Sequence, residues 1–205
     1  MLGFYNYTVI LTYIGMLISF FGFGYAISGS FRGAVLCLML SGLCDMFDGK
    51  IASTMKRTDD ERHFGIQIDS LSDLICFGVF PALILRMRVP DSAVVTVIAC
   101  AYVLSALIRL AYFNVDELNR QNQTADRRHE YRGLPVTSSA LLVPLCFILG
   151  KLVGGTEILL PCVIAFMAVA FIAPIHLKKP NGKGMIAIAA AGVIELILVL
   201  GGFVG

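Results

Sequence analysis

Charge is scarce in this 205-residue chain: Lys, Arg, Asp and Glu together make up 15% of it and nearly cancel, to a net +2. That balance argues against the basic surface of a nucleic-acid binder and against an acidic tail. The six cysteines, Cys37, Cys44, Cys76, Cys100, Cys146 and Cys162, stand singly in apolar stretches, with no CxxC pair among them. Such scatter argues against both a zinc site and a disulfide framework. The thiols read instead as small buried hydrophobes. No n-region with a small-residue cleavage site resembling a signal peptide is present, so the first apolar segment is expected to stay in the mature protein. Internal repeats and low-complexity tracts are also missing.

What the chain has in abundance is apolar sequence, 58% of the residues with a mean hydropathy of +0.83. That composition lies outside the soluble range and points to the membrane. Seven stretches approach the length needed to cross about 30 Å of hydrocarbon: Tyr7–Ser28, Phe31–Met55, Phe64–Arg86, Asp91–Val115, Leu134–Leu152, Glu157–His176 and Gly184–Phe203. Turn-forming punctuation separates them at Ser28-Gly29-Ser30, Val89-Pro90-Asp91, Gly154-Gly155 and Lys179-Pro180-Asn181-Gly182. The expected fold is a single all-α integral membrane domain over residues 1–205, a bundle of about seven transmembrane helices (six to eight).

Basic residues orient this bundle. Lys56, Arg57, Arg62, Arg120, Arg127, Arg128, Arg132, Lys178, Lys179 and Lys183 fall in the loops at one end, against Arg32, Arg86, Arg88 and Lys151 at the other. The positive-inside rule then puts the N-terminus and the loop between the second and third helices in the cytoplasm. His63, His129 and His176 fall in or beside the same loops and read as solvated side chains.

Against this apolar background stand four aspartates, Asp45, Asp48, Asp69 and Asp73. A carboxylate in a bilayer costs on the order of 3 kcal/mol or more, so four together need compensation. Asp45 and Asp48 are three apart and Asp69 and Asp73 four apart, so each pair projects from one helix face. The two helices are joined by a short polar loop and must be antiparallel neighbours, which lets the pairs meet in the bundle interior. All-oxygen donors with no His or Cys select hard cations: Mg²⁺, Mn²⁺ or Ca²⁺. Gly49, Ala52 and Gly65 share these faces and would let a bulky ligand approach the backbone. The competing reading is structural pairing with Lys50 and Arg109, which would leave two carboxylates uncompensated.

The run Asp45-x2-Asp48-Gly49-x2-Ala52, followed by Gly65-x3-Asp69-x3-Asp73, resembles the signature of the CDP-alcohol phosphotransferases. The resemblance implies an integral membrane enzyme that moves a phosphatidyl or similar group from a CDP-linked lipid to an alcohol, releasing CMP. It also implies two divalent cations, one held by Asp45, Asp48 and Asp69 and the other by Asp45, Asp69 and Asp73, with Asp73 also the base. A homodimer is implied too. This chain departs from the pattern in two places. Ser53 stands where the family usually has Arg, and the stretch from there to Gly65 is about three residues longer. Lys56 or Arg57, one turn on, would supply the missing charge. Thr8 and Thr12, one turn apart at the start of helix one, line the nucleotide pocket by the same resemblance; the alternative is that they bond their own backbone.

Three further segments are similar to the membrane-embedded phosphatidylserine synthases: Asp69-Ser70-Leu71-Ser72-Asp73-Leu74 with Phe77-Gly78-Val79 and Pro81-Ala82, Arg109-Leu110-Ala111-Tyr112-Phe113-Asn114, and Gly133-Leu134-Pro135-x-Thr137. An arginine within an apolar helix wants an anion. For Arg109 that anion is either a substrate group or one of the aspartates. Asn114 either donates to a carboxylate or accepts from an ammonium group. The Gly-Leu-Pro turn is either a tight entry into helix five or part of a binding site with Thr137, near a helix N-terminus that favours anions. The expected reaction is phosphatidyl transfer from CDP-diacylglycerol, or an archaeal CDP-ether lipid, to L-serine. Glycerol 3-phosphate or inositol phosphate as acceptor is the nearer alternative, with Arg127, Arg128 and Arg132 as phosphate ligands. A divalent-cation transporter is the distant one.

Overall fold

The computed structural model describes residues 3–4, 7–52, 54–55, 58–123, 130–178 and 182–204. Among them are seven helices, as the fold class expected from sequence requires: α1 (Ile10–Ile27), α2 (Phe31–Ala52), α3 (Asp59–Arg88), α4 (Ala93–Gln123), α5 (Ser139–Val153), α6 (Thr156–Ile172) and α7 (Gly182–Leu198). α1, α3, α4 up to Leu118 and the α5 segment from Val136 are long and apolar enough to cross a membrane, while α6 and the end of α7 are shorter apolar helices. α2, at 22 residues, carries Arg32, Asp45, Asp48 and Lys50. Phe21, Val153 and Ile158 are 72%, 84% and 75% exposed. Such an outward apolar surface belongs against lipid, with backbone polar groups satisfied inside the helices.

Several boundaries differ from expectation, three of them for a clear local reason. α3 starts at Asp59 rather than Phe64 because Thr58 builds a capping box. Thr58 Oγ1 accepts from the Glu61 N–H at 3.3 Å, and the Glu61 carboxylate accepts from the Thr58 N–H at 2.9 Å. Asp59, Asp60 and Glu61 then sit where the helix dipole favours negative charge. α4 continues about two turns past Val115, as a polar extension to Gln123. α6 ends at Ile172, because Pro174 forces Ala173 into extended backbone (φ −65°, ψ 137°). The freed segment forms β2 (His176–Lys178), paired antiparallel with β1 (Glu130–Arg132), a contact that helical periodicity gives no hint of.

α3 changes pitch midway: Leu74–Val79 is π-helical between α-helical Asp59–Asp73 and Phe80–Arg88. Pro81 has no N–H for the carbonyl four residues back, which is that of Phe77. This orphaned oxygen accepts from the Tyr102 hydroxyl at 2.6 Å and the Ser139 hydroxyl at 3.4 Å. Tyr102 and Ser139 are both fully buried, so one carbonyl ties α4 and the start of α5 to α3. α1 completes the packing. A Cβ on Gly22 would lie 2.8 Å from that of Cys37 in α2, and Phe23 packs its ring 5.2 Å from Phe80 of α3. Of the Phe20–Phe23 run, Phe20 and Phe21 instead face outward.

The Gly-Leu-Pro turn proves to be a clasp on the end of α6. Gly133 N–H donates to the Ile175 carbonyl at 2.8 Å and Leu134 N–H to that of Ala170 at 3.0 Å. Gly133 holds φ +76°, and a Cβ there would lie 2.6 Å from the Phe171 oxygen. At the opposite end of the bundle, cations close helix ends. Arg86 donates to the Val89 and Ser92 carbonyls, Arg32 to that of Leu200, and Lys151 to that of Gly202 at 2.6 Å. Arg88 stacks 5.3 Å over the Phe31 ring and pairs with Glu157 at 3.9 Å.

Tyr102→Phe removes the shorter bond to the Phe77 carbonyl and is expected to cost about 1 kcal/mol. Gly133→Ala combines a left-handed φ with a backbone clash and is expected to cost more. Thermal unfolding of the purified protein in detergent checks both, the glycine variant showing the larger drop in Tm.

Candidate active site

α2 and α3 run antiparallel and bring their aspartates to the same end of the bundle. Carboxylate oxygens of Asp45, Asp48 and Asp69 lie within 4.8 Å of one another. Asp73 stands outside this triad but faces it closely enough to interact electrostatically with Asp45, Asp69 and Asp48. Two ionised carboxylates at that spacing repel by about 3 kcal/mol even at an effective dielectric constant of 20. The donor set is all oxygen and converges on one point, which fits a hard divalent cation.

Support for the cluster comes from α1. Thr12 Oγ1 donates to Asp48 Oδ2 at 3.2 Å, so its hydroxyl orients a carboxylate rather than bonding its own helix. Thr12 and Gly15 from α1, Ser41 and Cys44 from α2, and Ser72 and Cys76 from α3 wall a small cleft beside Asp45, Asp48 and Asp73. Below it, Ser41 donates to the Gly15 carbonyl at 2.8 Å and receives a bond of 2.8 Å from Ser19. These small polar residues let the three helices approach closely beneath the carboxylates. At the rim, the Tyr7 hydroxyl donates to Thr54 Oγ1 at 3.0 Å, and Phe4 meets Phe64 edge-on at 5.6 Å. The N-terminal turn thereby lies against the α2–α3 connection.

Gly49 follows Asp48 on α2 and is exposed; a Cβ there would meet no atom of another described residue within 4 Å. Internal packing therefore does not require a glycine at this place. Ser53, Lys56 and Arg57 fall outside the described residues, as do the side chains of Thr8 and Ala52. Arg109 is buried on α4, 9% exposed. Asn114, one to two turns further along α4, accepts a hydrogen bond of 2.7 Å from Ser70, the residue after Asp69. Thr137 is half-buried in the 3₁₀ turn Val136–Ser138 that leads into α5. Ser70, Tyr102 and Ser139 escaped sequence reasoning. For Ser70 a signal existed, a hydroxyl directly beside a membrane carboxylate.

Fold and site together define an integral membrane enzyme built around a carboxylate centre. The chain belongs to the CDP-alcohol phosphatidyltransferase family, whose model matches residues 5–173. It is 31% identical over 183 residues to the CDP-diacylglycerol–serine O-phosphatidyltransferase of Helicobacter pylori, covering 86% of this chain and 71% of that protein. It is 29% identical over 160 residues to the archaetidylserine synthase of Methanothermobacter thermautotrophicus, covering 78% of this chain and 64% of that one. Over 108 residues it is 34% identical to the CDP-diacylglycerol–serine O-phosphatidyltransferase of Saccharomyces cerevisiae, covering 51% of this chain and 38% of the yeast protein. The chain is a transferase of this family.

Groups that orient metal-binding carboxylates typically contribute a 10- to 100-fold effect on affinity. Thr12→Val is therefore expected to weaken Mn²⁺ binding by about that factor, in a titration of the purified protein followed by electron paramagnetic resonance. Wild-type affinity in the variant would show that the Thr12 bond does not tune the cluster.

Proposed function

We propose that this chain transfers a phosphatidyl group from CDP-diacylglycerol, or its archaeal ether counterpart, to the hydroxyl of L-serine, releasing CMP. The observation that carries the reading is the convergence of Asp45, Asp48, Asp69 and Asp73 from one antiparallel helix pair, beside open space at Gly49. The activities for which the Helicobacter and Methanothermobacter relatives are named support serine as the acceptor, and differ in the lipid. Lipid chains meet interchangeable apolar side chains, so the reading covers both.

Asp45, Asp48 and Asp69 would hold one Mg²⁺ or Mn²⁺ ion, and Asp45, Asp69 and Asp73 a second. Bound there, such ions supply Lewis-acid polarisation of the pyrophosphate and charge neutralisation for the departing CMP. The chain's own groups do the rest. Gly49, with Ala52, leaves the backbone bare for close approach of the nucleotide. Thr8, Thr12, Ser53, Lys56 and Arg57 surround the CDP-lipid, the two cations standing in for the arginine that Ser53 replaces. Asp73 takes the proton of the serine hydroxyl as its oxygen bonds to the lipid-side phosphorus and the bond to CMP breaks. A free hydroxyl is a poor nucleophile, so a base within hydrogen-bond reach is required. Arg109, Asn114 and Thr137 bind the acceptor. The chain acts as a single domain and a homodimer. Its N-terminus and the aspartate end face the cytoplasm, where ten of the loop cations lie and where water-soluble serine and CMP exchange.

Purified protein with CDP-diacylglycerol and Mn²⁺ is expected to release CMP on addition of L-serine, but not of glycerol 3-phosphate or inositol phosphate. Asp73→Asn is expected to lower that rate by about 10²-fold or more. Release with another acceptor would overturn the substrate assignment. Manganese uptake into vesicles without any CDP-lipid would point to transport instead.

Gly49→Ala separates stability from function. Alanine is favoured over glycine within a helix by about 1 kcal/mol, and none of the described residues obstructs it. The variant is expected to unfold at a higher temperature than wild type while showing a raised KM for CDP-diacylglycerol. An unchanged KM would remove Gly49 from the nucleotide site.

A further inference from the structure

Ser70 and Asn114 stand beside the carboxylate cluster without belonging to it. Ser70 follows Asp69 on α3, about 100° around the helix from it. It therefore faces α4, while Asp69 meets the residues of α2. There its hydroxyl donates to Oδ1 of Asn114 at 2.7 Å, a short, well-formed bond. The pair is half-buried, at the end of the bundle where Asp69 and Asp73 stand. A carboxamide has one acceptor end and one donor end. The Ser70 bond turns the carboxamide oxygen toward α3 and the N–H₂ away from Ser70, so the end presented to a ligand is the amide N–H₂, which recognises anions and not ammonium groups.

We infer that Ser70 is a positioning residue that locks the Asn114 carboxamide so that its N–H₂ reads the carboxylate of an amino-acid acceptor. The inference rests on the acceptor being L-serine, as proposed above, and extends it by saying which end of the acceptor this residue reads. Discrimination follows from the same chemistry. A site built to hydrogen-bond a substrate group rejects the analogue lacking that group, because its own polar atom is left unpaired. Serinol, in which a neutral hydroxymethyl group replaces the carboxylate, offers the N–H₂ only a weaker, uncharged acceptor and should therefore be a poor acceptor substrate. The mirror arrangement, with Asn114 accepting from the substrate ammonium, would make the two acceptors similar at this residue.

The experiment measures CMP release from CDP-diacylglycerol by the full-length protein, with L-serine or serinol as acceptor. The variants are Ser70→Ala, Ser70→Thr and Asn114→Asp. Wild type is expected to prefer L-serine, and Ser70→Ala to raise the KM for L-serine about tenfold, with kcat and the KM for CDP-diacylglycerol nearly unchanged. Ser70→Thr, which restores the hydroxyl, is expected to recover the wild-type KM. Asn114→Asp keeps an acceptor for Ser70 but turns the donor into an anion. It is expected to lose L-serine use by about 100-fold or more and to favour serinol over L-serine. Retained or improved L-serine use in Asn114→Asp would overturn the inference, as would a Ser70→Ala variant that loses stability without a change in KM. A wild-type enzyme with no L-serine-dependent release would overturn the acceptor assignment and this inference together. Serine-dependent release with none of these KM effects would overturn this inference alone.

Discussion

Mutual repulsion among four carboxylates is the constraint around which this molecule is organised. The triad of Asp45, Asp48 and Asp69 is gathered within 4.8 Å, with Asp73 against Asp45. Left alone, such a cluster would drive α2 and α3 apart at the end where they are joined only by a short loop. Several features oppose that separation. α1 lies on both helices through small residues at Gly15, Gly22 and Ser41, and Thr12 reaches across to Asp48. The capping box at Thr58 starts α3 firmly just after the turn. Divalent cations held between the carboxylates would turn the repulsion into cross-linking, so binding and local stability are linked at this site.

The two ends of the bundle use charge differently. At the far end, Arg32, Arg86 and Lys151 donate to backbone carbonyls, and Arg88 is shared between Phe31 and Glu157. Those cations neutralise the exposed oxygens that any helix leaves at its C-terminus. At the aspartate end the acidic residues stand within α2 and α3, four of them in otherwise apolar sequence. Charge at the far end serves the fold, whereas the carboxylates at this end repel one another and contribute nothing to it unaided.

Much of this was legible in the sequence. Seven apolar stretches and their glycine and proline punctuation gave the bundle, and carboxylates at helical spacing in apolar runs gave the centre. Departures arose where the deciding contact lies between residues far apart in the chain. Periodicity reports a helix face but not a partner, so Ser70 was visible as a polar residue while its bond to Asn114, across to α4, was not. Likewise, α6 reads as apolar up to His176. Only the proline at 174 and the pairing of His176–Lys178 with Glu130–Arg132 explain why it stops early. The early start of α3 was written in Thr58 and Glu61, a local signal overshadowed by the charge of the segment.

Proline 81 shows how an irregularity in a membrane helix becomes a structural joint. Its missing N–H frees the Phe77 carbonyl, and hydrocarbon offers nothing to satisfy it. Tyr102 from α4 and Ser139 from α5 do so, at the cost of placing two hydroxyls in the core. Asp73 lies one turn before Phe77 on the same helix, immediately ahead of the π-helical stretch. The helices that carry Arg109, Asn114 and Thr137 are thus tethered to the helix that carries Asp73 through one oxygen atom. An acceptor bound between α3 and α4 would be held at a defined distance from Asp73 by that tether. With Asp73 as the proposed general base, catalysis would depend steeply on such distances, a demand that a continuous apolar helix without this buried polar joint would not meet.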